Sequence, residues 1–218
     1  MTALAELLEQ IGSGLPLPAT GGVRLLPGPT GFAVGAVLGF TGHHVIAADA
    51  DPGWLMSQLA DSEIGRPLNP EFLAALGGHL DARPGGQDVL LVAGPGTQTG
   101  PVGEAVAENP TTLDHLRVER ALRYRDDVRV ATLSGGLVTV GRGLARRWEI
   151  SIEVAESGRN AGLGRALAAY GRTLVPAGAA LWAQVHPANV ASLRAFLAAG
   201  YRPVGAEVLF ARGLAARR

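Results

Sequence analysis

The 218-residue chain contains no cysteine. That excludes disulfides, iron–sulfur clusters, thiolate zinc sites and a cysteine nucleophile together. Net charge is missing too. Nineteen basic residues balance nineteen acidic ones, so no global field favours nucleic acid or an anionic membrane. No apolar run is long enough to span a bilayer, and the start, Met1-Thr2-Ala3-Leu4-Ala5-Glu6, lacks the basic stretch of a signal peptide. A cytoplasmic protein without a nucleic-acid or membrane partner is the expectation. Hydrophobic residues make up 47%, which excludes general disorder, and the length permits one large domain or two small ones. Glycine (31) and proline (14) are plentiful and arginine is preferred over lysine. That pattern fits a GC-rich coding bias, so an isolated glycine carries little information.

Periodicity and turn residues divide the chain. Leu4, Leu7, Leu8 and Ile11 predict an amphipathic helix that ends at Gly12-Ser13-Gly14. Apolar runs at 23–26, 32–40 and 45–48 predict strands, and 54–59 and 70–80 predict helices. A buried-type strand follows at 88–93, and the Gly-, Pro- and Thr-rich stretch 94–103 reads as a linker. A helix is expected over 111–124, with Thr111 and Asp114 placed like a capping box. The rest reads as strands at 128–133, from 137 and at 148–154, a helix at 162–174, a strand at 180–185, a helix at 189–199 and a closing strand at 207–210. The fold class is therefore mixed α/β. An α/β subdomain is expected at 1–95 and a second domain at 96–218.

The densest signal is Arg159-Asn160-Ala161-Gly162-Leu163-Gly164-Arg165, between the strand at 148–154 and an apolar-periodic helix. Closely spaced glycines let a ligand approach the backbone, and a helix start offers unpaired N–H groups and the positive end of its dipole. The segment is therefore expected to bind phosphate. It is not a dinucleotide-binding fingerprint, because Arg165-Ala166-Leu167 stands where a third glycine would complete it. It is not a Walker loop, because the chain has no Gly-Lys-(Ser/Thr).

In the strand before it, Trp148, Ile150, Ile152 and Val154 alternate with Glu149, Ser151 and Glu153. Glu149 and Glu153 share a face but lie roughly 13 Å apart at strand rise, too far for a paired-carboxylate dyad. Either each acts alone or the face borders solvent. His43, His44, Asp49 and Asp51 invite a metal reading, but the spacing fits no zinc motif and a polar turn is favoured. No metal is expected.

Val154 to Gly164 resembles the acetyl-CoA signature of the GNAT N-acetyltransferase superfamily, V-x-x-x-x-(Q/R)-x-x-G-x-(G/A). Asn189 to Ser192, with Gly200-Tyr201 beyond, resembles its second signature. The resemblance covers about residues 110–212. It implies a GNAT-like fold in the C-terminal half and transfer of acetyl from acetyl-CoA to a primary amine, on a small molecule or a peptide. A degenerate lobe of the same kind is one reading of the N-terminal half. It has no glycine cradle, so it would supply a wall of the acceptor pocket. A free sheet edge in such a fold leaves a homodimer open.

By the same resemblance, the backbone of Arg159, Asn160, Ala161, Gly162, Leu163 and Gly164 would hold the coenzyme A pyrophosphate, with Arg159 and Arg165 adding charge. The backbone at Glu153 and Val154 would align the pantetheine. Asn189 and Ser192 would contact the cofactor arm, and a plain helix cap stands equally open for Asn189. Glu149 is the first choice as general base, before Glu153 and His186, and a strand-end turn stands open for His186. Members that use a tyrosine as general acid often carry it where this chain has Phe196, which cannot donate a proton. Two functions therefore stand: an N-acetyltransferase, or a coenzyme A-binding sensor with little catalysis.

Overall fold

The computed structural model describes residues 1–15, 17–18, 20–59, 65–94 and 106–212. Within them one mixed sheet of eleven strands carries helices on both faces, as a mixed α/β chain should. The Gly-rich 94–103 stretch falls, beyond Gly94, outside the described residues. Among those described, no helix is long and apolar enough to cross a membrane.

The first half begins with α1 (Ala3–Gly12). Its N-cap is Thr2, whose hydroxyl accepts from the Ala5 N–H at 3.3 Å, and it buries Leu4, Leu7, Leu8 and Ile11. Strands β1 (Gly22–Leu26), β2 (Gly35–Phe40) and β3 (His43–Ala48) follow. β2 is buried along its whole length, so it reads as a continuous apolar run instead of an alternating one. Asp51 caps α2 (Pro52–Ser57) by accepting from the Trp54 N–H at 2.8 Å. α3 (Pro70–His79), the short β4 (Arg83–Pro84) and β5 (Asp88–Ala93) complete the half.

The second half runs β6 (Val106–Glu108), α4 (Leu116–Tyr124), β7 (Asp126–Leu133), β8 (Gly136–Arg142), β9 (Trp148–Val154), α5 (Leu163–Gly171), β10 (Leu181–Val185), α6 (Val190–Ala198) and β11 (Arg202–Ala211). Two expectations are corrected here. The helix expected from Thr111 begins at Leu116. Asn109 Oδ1 takes both the Thr111 hydroxyl (2.8 Å) and its N–H (3.1 Å) into a turn, and His115 Nδ1 caps the helix through the Arg117 N–H at 3.1 Å. The closing strand spans Arg202–Ala211, well beyond 207–210, because β2 and β5 pair it on either side across a bulge between Pro203 and Gly205. A Cβ on Gly205 would collide with the Gly39 carbonyl, so only glycine fits there.

The strand order is β1-β3-β2-β11-β5-β10-β9-β8-β7-β6, with β4 against the end of β11. The halves are interleaved at the centre. β5 lies antiparallel between β10 and β11, and β11 pairs in turn with β2. The boundary expected at 95/96 falls at undescribed residues, and strands from both sides of it alternate in this central region.

One face of the sheet packs under α5 and α6, burying Val138, Val140, Ile150, Leu167 and Phe196. On the same face α2 and α3 cover Val37, Ile46, Val208 and Phe210 with Leu55, Phe72 and Leu76. The opposite face packs Leu38, Leu90, Val92 and Trp182 beneath α1. Each fully buried Leu or Phe contributes about 1.5–3 kcal/mol of apolar burial, so both halves of the sheet are secured from two sides.

Candidate active site

β9 and β10 run parallel but pair only at Leu181↔Trp148 and Trp182↔Glu149. Beyond those positions they part. β9 remains paired with β8 as far as Val154, and β10 with β5 as far as Val185. The splay leaves backbone groups of both strands without a partner across it. Unpaired backbone N–H and C=O groups are strong anchors for a ligand that carries amides or a carbonyl.

At the far end of β9, the chain turns through a short 3-10 segment (Glu156–Gly158) and residues 159–162 into α5. Gly162 is the N-cap, at φ +81°, with no side chain capping the helix. The first-turn N–H groups of α5 are therefore left for an anion. A Cβ built on Gly162 would meet nothing within 4 Å, so this turn faces open space. Arg159, Asn160, Ala161 and Arg165 are exposed around it, and Asn160 also has a positive φ of 61°. This geometry fits a phosphate. Gly164 has a different job: its Cβ would sit 3.2 Å from Ala195, so it lets α5 approach α6 closely.

α6 starts beside the splay. Asn189 Oδ1 accepts from the Ser192 N–H at 3.1 Å, which is the helix-cap arrangement, and both residues line the cleft. Phe196 is buried and meets Tyr201 edge-on at 4.9 Å, and Tyr201 donates to the Ala168 carbonyl at 3.2 Å. Tyr201 is thus a core residue. Burial pushes its phenol well above its ordinary pKa.

The cleft is about 950 Å³ and reaches from the splay across to α4. Thr30, Phe32, Gly86 and Asp88 of the first half form part of its lining. Phe32 packs on Tyr124 of α4 with ring centroids 4.2 Å apart, so the halves share an aromatic wall.

Glu149 sits in this cleft but not as a free carboxylate. It accepts from Arg147 Nε at 2.9 Å, the Leu144 N–H at 3.2 Å and Arg125 Nε at 3.3 Å, and is 5% exposed. Burial alone would raise its pKa, but Arg147 and Arg125 together hold it below the ordinary value. A carboxylate so occupied is a poor proton acceptor, which weighs against Glu149 as the general base. It belongs instead to a buried ion network. Arg147 also binds Glu207 (Nη1–Oε2 2.7 Å, Nη2–Oε1 2.8 Å), and Gln184 donates to Glu207 at 3.3 Å. Burial opposes the Arg147 charge, but Glu207 and Glu149 outweigh it.

Glu153 is half exposed and bound by Arg117 Nε at 2.9 Å, with His115 3.7 Å away. The Arg117 hydrogen bond chiefly lowers its pKa, so it too is a weak base. His186 lines the cleft, and its Nδ1 accepts from the Ala188 N–H at 3.2 Å. The neutral ring then carries its proton on Nε2 and is a donor on that side.

The sequence did not single out Asp88. It opens β5, lines the cleft and has neither hydrogen bond nor ion pair among the described residues. Burial, and then the charge of Glu207 opposite it in the β5–β11 register, raise its pKa. Tyr124 was also passed over, as a residue inside a helix. It lines the cleft, whereas Tyr170 and Tyr201 pack with the core. Among the described residues no three His, Cys, Asp or Glu cluster as a metal site.

No protein-family model matches the sequence, and no curated relative matches it. Among solved structures the chain is similar to a GCN5-related N-acetyltransferase from Kribbella flavida, at 14% identity and a TM-score of 0.45, over 98% of this chain and 96% of that one. It is similar too to an acetyltransferase of the GNAT family from Colwellia psychrerythraea, at 13% identity and a TM-score of 0.44, over 96% of each chain.

Proposed function

We propose that this chain is a GNAT-type acyltransferase that moves an acetyl group from acetyl-CoA to a primary amine. The observation that carries the reading is the splay between β9 and β10, with an uncapped helix start at its far end. The donor's pyrophosphate lies on the N–H groups at 159–164. Its amide-bearing arm runs along the unpaired edge of β9, where Glu153 and Val154 offer backbone groups. A backbone N–H aimed at the thioester oxygen stabilises the negative charge that builds there during attack.

In the transfer, an N–C bond forms as the C–S bond breaks. The incoming ammonium must lose a proton and the departing thiolate must gain one. Asp88 is the acceptor for the first proton, because it is the unpaired carboxylate of the cleft and a raised pKa improves it as a base. Tyr124 is the hydroxyl of the cleft wall from which the second proton can come, since Phe196 has none to give. The amine attacks the thioester directly, and the chain has no cysteine to carry the acetyl group in between.

Isothermal titration with acetyl-CoA tests the donor site, and absence of binding at millimolar ligand ends the proposal. Phe196 supports a second reading, a coenzyme A sensor. Release of free thiol on addition of amines would exclude it, and binding without release would favour it.

A further inference from the structure

The acceptor side of the cleft holds charges of both signs that are not paired with each other. Asp88 has no hydrogen bond or ion pair among the described residues. Arg120 of α4 also lines the cleft. It is close enough to act electrostatically on both Asp88 and Arg125, but it forms no ion pair among the described residues. Its guanidinium lies 5.8 Å from the centre of the Tyr124 ring. Arg125 spends its Nε on Glu149, while its Nη1 is buried with no hydrogen-bond partner, on a side chain only 10% exposed. Arg125 therefore adds positive charge behind the wall of the cleft without presenting Nη1 to it.

Asp88 and Arg120 are thus side chains of opposite sign that line one cleft, each without an ion pair among the described residues. A ligand with one positive and one negative group would satisfy both. The floor at Asp88 asks for a cation, and the wall at Arg120, with the Arg125 charge behind it, asks for an anion. Phe32 and Tyr124 add an apolar surface next to that wall.

We infer that the acceptor is a free amino acid, its ammonium held at Asp88 and its carboxylate held by Arg120, with the Arg125 charge behind it. This rests on the acetyl-transfer reading of the same cleft. It excludes the N-termini of longer peptides, in which the carboxylate beside the amine is an amide.

The test compares amino acids with their amides, using L-phenylalanine, L-leucine and L-methionine as the pairs, by thiol release from acetyl-CoA. Each acid should exceed its amide in kcat/KM by about tenfold or more, the effect of one charge-assisted hydrogen bond. Arg120→Gln should erase most of that preference while leaving acetyl-CoA affinity within about twofold, because the ratio of acid to amide is unaffected by how much protein is folded. Equal use of acid and amide, or an unchanged ratio in Arg120→Gln, overturns the inference. Titration of the same pairs into protein without acetyl-CoA separates the two levels. Acids binding better than amides to a protein that ignores acetyl-CoA would refute the transfer reading and keep the zwitterion site. Acetyl-CoA binding with no acid preference would do the reverse.

Discussion

The two ends of the cleft are built by different means. The end proposed for the donor is contiguous and made of backbone: β9, the turn at 159–162 and the start of α5 lie within 17 residues, 148–164. The end proposed for the acceptor is assembled from side chains of both halves: Phe32, Asp88, Arg120, Tyr124, Arg125 and Glu207. A backbone cradle tolerates exposed, unpaired side chains around it. A side-chain site in a partly buried sheet needs every charge either neutralised or left open for a ligand.

The sharpest way to break this comparison is at Asp88. Asp88→Asn should lower kcat/KM roughly a hundred- to ten-thousandfold, the range of a general base, with acetyl-CoA affinity unchanged. A pH–rate profile checks the role. The wild-type rate should rise with pH through a value above the ordinary carboxylate range, and the variant should lack that limb. The sign for stability is opposite to that of an ordinary ion-paired acid. With its folded pKa raised, Asp88 favours the fold most below its unfolded pKa and loses that contribution as pH rises through the folded value. Glu149, lowered in the fold, stabilises above its unfolded pKa and loses its contribution as pH falls through the folded value.

Next in size is Arg147→Ala. It leaves Glu149 and Glu207 buried with a partner missing and should cost about 3–5 kcal/mol in urea unfolding. At the donor end the expected pattern reverses. Gly162→Val should weaken acetyl-CoA binding about tenfold or more by titration, while costing only about 1–2 kcal/mol of stability from the positive φ. Smallest is Arg165→Ala: the residue is exposed and should change stability by less than about 0.5 kcal/mol. A large stability loss there would show that the donor end also depends on side-chain packing.

The same contrast explains what the sequence disclosed. The alternation of Trp148 to Val154 was legible because a period of two survives without tertiary context, and the structure buries Trp148 and Ile150 and packs the partly buried Ile152 and Val154 against the α5–α6 side as that pattern required. The uncapped glycine helix start was legible because all its parts are neighbours in the chain. The ion network around Glu149 was not fully legible, because its partner Arg125 lies 24 residues away. A signal was present in Arg147, two positions before Glu149 and so on the same face of an extended strand, which points to an ion pair more than to a free base. Asp88 was invisible as a site residue. It reaches the cleft only because β5 inserts between β10 and β11, pairings between residues 88 to 119 positions apart that no local pattern encodes. Gly164 shows the converse: a glycine inside a phosphate motif whose closest duty is helix packing.

The insertion of β5 also sets an order of assembly. During synthesis the apolar run Val89-Leu90-Leu91-Val92-Ala93 emerges long before either strand that will flank it, since β10 ends at Val185 and β11 at Ala211. β2, buried along its length in the finished protein, waits for β11 as well, although β3 can cover its other edge at once. A ribosome-bound chain halted near residue 180 therefore presents three sticky strand edges to its surroundings, and such edges are where nascent chains misassociate or recruit chaperones. β10 covers one of them, and the last ten-residue strand is the clasp that closes the other two.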